Sequence, residues 1–417
     1  MKVLIITYYW PPAGGSGVQR WLKFAKYLPD FDIEPIIYTA DNANYPKEDT
    51  TLLKEVSKNL RVLKQPVWEP TNILFWKKKK STGVSNLSKG GFLSFIRGNF
   101  FIPDPKIFWV KKSVTYLEKY ITNNAVDVII STGPPHSLHL IAQKLKQKLG
   151  VKWLADFRDP WSDLYYNKDF KQLAFAKNRN LKLEKLVLKQ ANCVVTVSEN
   201  LKKEFLKFAN KVHVVTNGFD DEINQEEETK LDSKFTISYI GLLPIQSNPK
   251  VLFAVLQELC KGDAKFKEDL QLNFIGDIAA AIKHEITDCN LTKNTNFIGY
   301  VAHEKAIEFQ NKSQVLLLLI PDVPNNKGIV TGKLFEYLKA KRPILAIGPE
   351  NGDLSEILKD TNAGVVLDFS NEAKLKFEIL QLYQQYKKGN LVVTSKNTKK
   401  YHRKELTKQL AEIIKKI

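Results

Sequence analysis

Lys333 and Glu336 lie three residues apart in Thr331-Gly-Lys-Leu-Phe-Glu336, directly after a small-residue run that begins at Gly328. A helix starting at that turn carries both side chains on one face. Its first turn offers unpaired backbone N–H groups and the positive end of the helix dipole, which suit a phosphate. Lys333 adds a full charge, and Glu336 can accept hydrogen bonds from sugar hydroxyls. The combination reads as a grip on a nucleotide diphosphate and its sugar, with sugar transfer as the chemistry.

Three more clusters carry usable groups. Pro11-Pro-Ala-Gly-Gly-Ser-Gly17 precedes a helical pattern, and Gly14, Gly15, Ser16 and Gly17 would let backbone approach a ligand closely. A tight strand–helix turn alone would also explain those glycines. Thr132-Gly-Pro-Pro-His136 follows an apolar run, which puts His136 at a strand end as a hydrogen-bond donor or acceptor, and His139 can share its helix face. Asp156-Phe-Arg-Asp-Pro-Trp-Ser-Asp163 follows another such run. There Arg158 could hold a phosphate or a carboxylate, and Asp159 could orient it or take an acceptor proton. The plainer alternative is an Arg158–Asp159 pair that braces the loop.

Other chemistries fit poorly. Gly15-Ser-Gly17 supplies two glycines of a dinucleotide fingerprint, but Arg20 occupies the third position and Asp41 lies too far past its strand. No His, Glu or Cys spacing resembles a metal site, and no nucleophile elbow or Gly-x-x-x-x-Gly-Lys-Ser/Thr loop is present.

The elements needed to position these groups alternate along the chain. Strands are expected at 3–7, 33–38, 60–63, 126–131, 152–155, 193–197 and 212–215, with helices at 18–28, 137–149 and 173–190 between them. An acidic, apolar-poor stretch at 217–233 opens with Asn217-Gly and reads as a linker. A second series follows, with strands at 236–240, 270–275, 296–298, 315–320, 344–347 and 364–367. Helices at 250–259, 303–311, 333–341, 354–358 and 372–386 separate them. This predicts an α/β chain of two doubly wound parallel-sheet domains facing each other across a cleft. The expected bounds are 1–218, a linker at 219–233, a domain at 234–398, and a lysine-rich helix at 399–417.

Length and composition agree with two soluble domains: 417 residues, 43% hydrophobic and 26% charged. The opening Met1-Lys-Val-Leu-Ile-Ile-Thr7 is too short for a signal peptide's apolar region and reads as a buried strand. Cys193, Cys260 and Cys289 fit neither a disulfide framework nor a zinc site, so buried, inert thiols in a cytoplasmic protein are expected. The net charge of +18 is uneven: residues 1–200 hold 31 Lys and Arg against 17 Asp and Glu, a balance of +14. The first domain is therefore the side to meet an anionic partner, unless the lysines only solvate helix faces. Lys77-Lys-Lys-Lys80, followed by Phe92, Leu93, Phe95, Ile96, Phe100, Phe101 and Ile102, suits an anionic membrane surface or a loop packed on its own domain.

Taken together these segments resemble glycosyltransferase family 4, the retaining, metal-independent sugar transferases of GT-B fold. The segments are the Gly14–Gly17 loop, Ser131-Thr-Gly-Pro-Pro-His136, Asp156-Phe-Arg-Asp-Pro-Trp161, Val195-Thr-Val-Ser-Glu-Asn200, Val215-Thr-Asn-Gly-Phe219, Tyr239-Ile-Gly241, Phe297-Ile-Gly-Tyr300 and Lys333-Leu-Phe-Glu-Tyr-Leu338. The resemblance implies an N-terminal domain for the acceptor and a C-terminal domain for the nucleotide sugar. By the same comparison Gly14–Gly17 lies against the donor, and His136 touches the transferred sugar. Glu336 binds the ribose, Gly241 and Thr331 belong to the donor site, and the loop bearing Tyr300 meets the base. It also implies no metal, no cofactor beyond the donor, and a closing helix that returns to the first domain. The acceptor is expected to be a surface polysaccharide or its lipid-linked precursor.

Two departures from the family involve three positions. Gly328 stands eight before Glu336, where a second glutamate is usual, and Leu242 and Ser247 stand where a basic pair neutralises the diphosphate. Lys333 is the best replacement, ahead of Lys250 and Arg158. An epimerase of the same fold and a basic nucleic-acid-binding protein are the rival readings, and no stacking-aromatic, helix-turn-helix or zinc pattern favours the second.

Overall fold

The computed structural model describes residues 1–45, 48–68, 92–162, 172–220 and 230–417, except the side chains of Ser16 and residues 92–94. The lysine run at 77–80, Asp163, and residues 221–229 of the expected linker lie outside the described residues. The chain divides into two compact units, Met1–Thr216 with Arg403–Ile417, and Asn217–His402.

The first unit is built on a parallel sheet of β1 (Lys2–Ile6), β2 (Glu34–Ala40), β3 (Arg61–Gln65), β4 (Val128–Gly133), β5 (Lys152–Phe157), β6 (Cys193–Thr196) and β7 (Val212–Val214). Their order is β3-β2-β1-β4-β5-β6-β7. The central strands are continuous apolar runs because helices cover both faces of the sheet. Val3, Leu4, Ile5, Ile6, Ile129 and Ile130 are fully buried. Winding reverses between β1 and β4, whose residues Ile5 and Ile130 pair. Loops leaving that reversal point form the natural ligand crevice of an open α/β sheet.

Helix Ser16–Tyr27 turns Val18, Trp21, Leu22 and Ala25 onto one face of this sheet. The closing helix Arg403–Lys415 places Leu406, Leu410, Ala411 and Ile414 in the same apolar cluster. Arg403 Nη1 donates to Gln19 Oε1 at 2.9 Å, and Lys404 pairs with Asp30 at 2.7 Å.

The second unit repeats the plan with β8 (Phe235–Ile240), β9 (Leu270–Ile275), β10 (Thr295–Gly299), β11 (Val315–Leu319), β12 (Ile344–Ile347) and β13 (Gly364–Leu367). The order β10-β9-β8-β11-β12-β13 puts its reversal between β8 and β11. Phe219 N donates to Tyr401 O at 3.1 Å, which ties the first described linker residues to this unit.

Some expectations need correction. Helices Val110–Asn124, Glu199–Phe205, Ala264–Asp269 and Ala280–Asp288 add to the expected set. The segment Phe92–Phe100 is a helix; Ile102 is buried while Phe100 is exposed. Residues 399–417 are not one helix, because a 3-10 turn at Thr398–Tyr401 precedes the helix that starts at Arg403. The three thiols are free, but only Cys193 is buried, while Cys260 and Cys289 are partly exposed. Among the described residues no helix is long and apolar enough to cross a membrane.

Candidate functional site

In the first unit, Asp156 organises the reversal point. It lies near the end of β5, fully buried, and pairs with Arg20, whose Nη2 lies 2.9 Å from Oδ1. Trp21 Nε1 and Thr132 Oγ1 donate to its Oδ2 at 2.7 and 2.8 Å. Burial opposes the carboxylate's charge, but the Arg20 guanidinium and these donors hold the carboxyl below its usual range. Arg20 Nη1 also donates to Thr216 O at 2.9 Å. Arg20 therefore supports helix packing from within, where the sequence suggested only an obstruction.

Arg158 gathers three loops. Its Nε and Nη2 donate to Gly133 O and Pro134 O at 3.2 and 3.0 Å. A Cβ at Gly17 would lie 2.6 Å from Arg158 Nη1, so a side chain there would push the guanidinium tip aside. Gly15, with φ +100°, is exposed just before the helix that Ser16 begins, and Gly14 is partly exposed beside it. The Arg158–Asp159 brace does not form. Asp159 is partly exposed, and burial raises its carboxyl against the pull of Arg158.

His136 and His139 sit at the start of helix Ser137–Leu149, with ring centres 5.8 Å apart. His136 is 5% exposed, stacks on Trp161 at 5.0 Å, and has no partner at either ring nitrogen. His139 is fully buried, stacks on Phe157 at 4.4 Å, and meets Ser131 Oγ at 2.8 Å through Nδ1. Burial, helped by the Arg158 charge, pushes His139 down to about 3 and His136 well below the ordinary imidazole value. Both rings are neutral at physiological pH. Trp161 is fixed by Asn180 Oδ1, which accepts from its indole at 2.9 Å, and by Glu184, which accepts from its backbone N–H at 2.9 Å. A cavity of about 240 Å³ opens beside this stack.

In the second unit the reversal point is built around Lys333. Helix Gly332–Ala340 begins at Thr331, which gives no side-chain cap and whose buried Oγ1 is unpartnered. Lys333 Nζ donates to Tyr239 Oη at 2.5 Å and lies 4.2 Å from the centre of that ring. Burial, opposed by the Glu336 charge, pushes its ammonium down to about 8. Gly241 follows β8 with φ +120°, and a Cβ there would lie 2.5 Å from Lys333 Cε. Glu336 sits on the same helix, and its Oε2 accepts from Gln310 Nε2 at 3.1 Å. Tyr300 follows β10 and is 66% exposed. Leu242 is 60% exposed, so the place of the usual basic residue is taken by an apolar side chain in solvent.

Within the first unit, then, Gly17, His136, Arg158 and Asp159 gather at one sheet edge. Within the second, Gly241, Thr331, Lys333 and Glu336 gather at another.

Two family models match the sequence, Glycosyltransferase Family 4 over residues 90–223 and Glycosyl transferases group 1 over residues 220–404. The chain belongs to the family 4 glycosyltransferases. Solved structures similar to this glycosyltransferase span it end to end. The Anabaena HepE structure in complex with UDP matches at 13% identity and TM-score 0.66, covering all of both chains. Sucrose-phosphate synthase from Thermosynechococcus elongatus matches at 12% identity and TM-score 0.63, covering 100% of this chain and 98% of that one. WaaG, a glycosyltransferase involved in lipopolysaccharide biosynthesis, matches at 11% and 0.59, covering 99% of each. At such identities the likeness shows the GT-B fold. No curated protein matches the sequence closely enough to count as a relative.

Three residues of this glycosyltransferase escape sequence reasoning. Tyr239 looks like any strand aromatic, and nothing in the chain marks it as the seat of Lys333. Trp161 stands in its motif with no role that spacing assigns. Asp156 does carry a signal, since an acid closing an apolar strand must find a buried partner.

Proposed function

We propose that this glycosyltransferase moves a sugar from a nucleotide diphosphate donor to a glycan or lipid-linked acceptor with retention of configuration and without a metal. One observation carries the reading: Lys333, held over the Tyr239 ring beside an uncapped helix start, at the reversal point of the C-terminal sheet. A departing diphosphate develops negative charge that a positioned cation and backbone dipoles can stabilise. Lys333 supplies the charge that Leu242 and Ser247 do not. The UDP complex of HepE, a protein of the same fold, supports a nucleotide donor.

In this mechanism the bond from the anomeric carbon to the diphosphate oxygen breaks as the acceptor hydroxyl attacks from the same face. The acceptor proton passes to the leaving oxygen or to Asp159. Burial raises Asp159 against the pull of Arg158, which makes it a stronger base than Asp156 near the end of β5. His136, neutral and enclosed, would bind a sugar hydroxyl and carry no charge into the site. Glu336 would accept from the ribose.

Isothermal calorimetry with UDP, GDP and dTDP, followed by transfer from the matching labelled sugar, tests the reading. Binding of at least one diphosphate and a product with the donor's anomeric configuration by NMR are expected. Inversion of the anomeric centre, or transfer abolished by chelator and restored by a divalent ion, would overturn the mechanism.

A further inference from the structure

We propose that Tyr337 is a positioning residue of the phosphate site: from helix Gly332–Ala340 it holds the end of β8 and so keeps Lys333 in place. The inference rests on the donor reading and adds the group that sets the spacing of that site.

The site has two sides. Tyr239 and Gly241 come from β8 and the residue after it, whereas Thr331, Lys333 and Glu336 belong to the segment that crosses from β11 to β12. Strands β8 and β11 pair at Ile237 with Val315 and at Ser238 with Leu316, and then part. Beyond that point β8 stays with β9, where Ile240 pairs with Ile275, and β11 stays with β12, where Leu319 pairs with Ile347. Further ties across the pair sit at its closed end. Ser313 Oγ lies 2.7 Å from Ser238 Oγ, and Gln314 N donates to Thr236 Oγ1 at 2.8 Å.

Parting leaves a backbone donor to be satisfied. Gly241 N donates to Ile275 O of β9 at 2.7 Å, so the N–H of the residue before it faces the other way, toward the gap. That residue, Ile240, is buried, and its N–H without an acceptor would be a buried orphan. Tyr337 Oη accepts it at 3.1 Å. Tyr337 is fully buried, and burial holds its hydroxyl well above the ordinary phenol value, so it stays neutral at physiological pH.

Lys333 and Tyr337 are four residues apart and share one helix face. They reach adjacent residues of β8: Lys333 Nζ meets the hydroxyl of Tyr239, and Tyr337 Oη meets the N–H of Ile240. The two contacts differ in stiffness. Tyr337 bonds to backbone through a rigid ring and fixes the height of the helix against the strand. Lys333 has a flexible four-carbon stem that follows wherever the helix puts it. Removing the Tyr337 hydroxyl frees the helix start from β8, and the ammonium moves from its buried seat toward water. Tyr337 thus acts on the diphosphate through Lys333 and touches no substrate itself.

The test follows Lys333 directly. The full chain is labelled with [13Cε]lysine, and the Lys333 signal, assigned by its loss in Lys333→Met, is titrated by NMR without nucleotide. Affinities for UDP, GDP and dTDP are measured in parallel. The wild-type titration midpoint is expected at about 8. Tyr337→Phe keeps the ring and should raise the proton affinity of Lys333 about tenfold, while weakening the diphosphate about 3- to 10-fold. Leu358→Ala opens a hole in the same apolar cluster from helix Asp353–Thr361 and should leave both readings near wild type. Should Tyr337→Phe fail to unfold cooperatively, fluorotyrosine placed at 337 alone weakens the acceptor within the same shape, and the same changes are expected in smaller measure. An unmoved Lys333 titration in a folded variant, or an equal move in Leu358→Ala, would overturn the proposal. A titration that moves while nucleotide binding is absent or unaltered would keep Tyr337 as the post of Lys333 and remove the donor reading.

Discussion

Lys333 and Tyr239 hold each other without a carboxylate between them. The ammonium lies 4.2 Å above the ring centre and donates to the same residue's hydroxyl at 2.5 Å. That hydroxyl donates onward to Leu242 O at 2.7 Å. A ring face and a hydroxyl orient a cation while leaving its charge uncancelled. An acidic partner would orient it too, but would compete with an incoming diphosphate. Glu336 is the nearest acid on the helix, and its effect is smaller than that of burial.

Replacing Lys333 with methionine should therefore weaken the nucleoside diphosphate by about 10- to 100-fold, the range for a lost charged hydrogen bond. The unfolding midpoint should hardly move. Calorimetry decides the point, and retained affinity would remove Lys333 from the phosphate site.

Donor affinity should depend on pH through the same residue. The diphosphate prefers the ammonium, so affinity stays level up to about pH 7 and falls as pH rises through about 8. Bound phosphate raises the lysine's proton affinity, so binding above pH 8 takes up a proton, visible as buffer-dependent heat. Without ligand the sign is opposite. The folded value lies below the ordinary 10.5, so the burial penalty is fully present below about 8 and is relieved as pH rises toward 10.5. Tyr239→Phe removes an acceptor that favours the charged form, and the affinity loss should begin at lower pH.

His136 and His139 should leave no trace of imidazole titration on transfer. Both are held below the ordinary value, so kcat should run flat from about pH 5.5 to 7.5, around the ~6.5 at which a free histidine would titrate. His136→Ala should lower kcat by about tenfold or more while changing the donor Kd less than about twofold, and His136→Gln should recover part of the loss through its amide. An inflection near 6.5 that disappears in either variant would refute the neutral assignment.

Asp156→Ala should cost about 3–5 kcal/mol, because Arg20 is then buried without its counter-charge. Urea unfolding measures it. In the wild type this support is complete above pH 3.8 and fades as pH falls through the lower folded value of Asp156.

Gly241→Ala should fold with a penalty of about 1–3 kcal/mol for its φ of +120°. The new methyl, 2.5 Å from Lys333 Cε, would displace the lysine, and donor affinity should fall toward that of the lysine variant.

Much of the architecture could be read from spacing. An unbroken apolar run such as Val315–Leu319 declares itself as a strand of a parallel sheet. The strands β12 (Ile344–Ile347) and β13 (Gly364–Leu367) fall on their expected bounds, as does helix Ser137–Leu149. Helix Val110–Asn124 escapes although Val110, Val114, Leu117 and Ile121 keep helical spacing, because the aromatic run before it masks where it begins. Ala280–Asp288 escapes because only Ile282 and Ile286 are buried in it. At the site, sequence placed Lys333 and Glu336 on one helix face but could not supply Tyr239, which lies 94 residues earlier and joins Lys333 only when β8 and β11 pair. The Arg20–Asp156 pair spans 136 residues and was out of reach for the same reason.

The helix Arg403–Lys415 also sets the order in which the units can be completed during synthesis. The first unit lacks Leu406, Leu410, Ala411 and Ile414 until the whole second unit has been translated. During that interval Trp21 and Leu22 face the ribosome's surroundings without their final cover. The later unit, made from one uninterrupted segment, is free to fold first, reversing the usual N-to-C order of assembly.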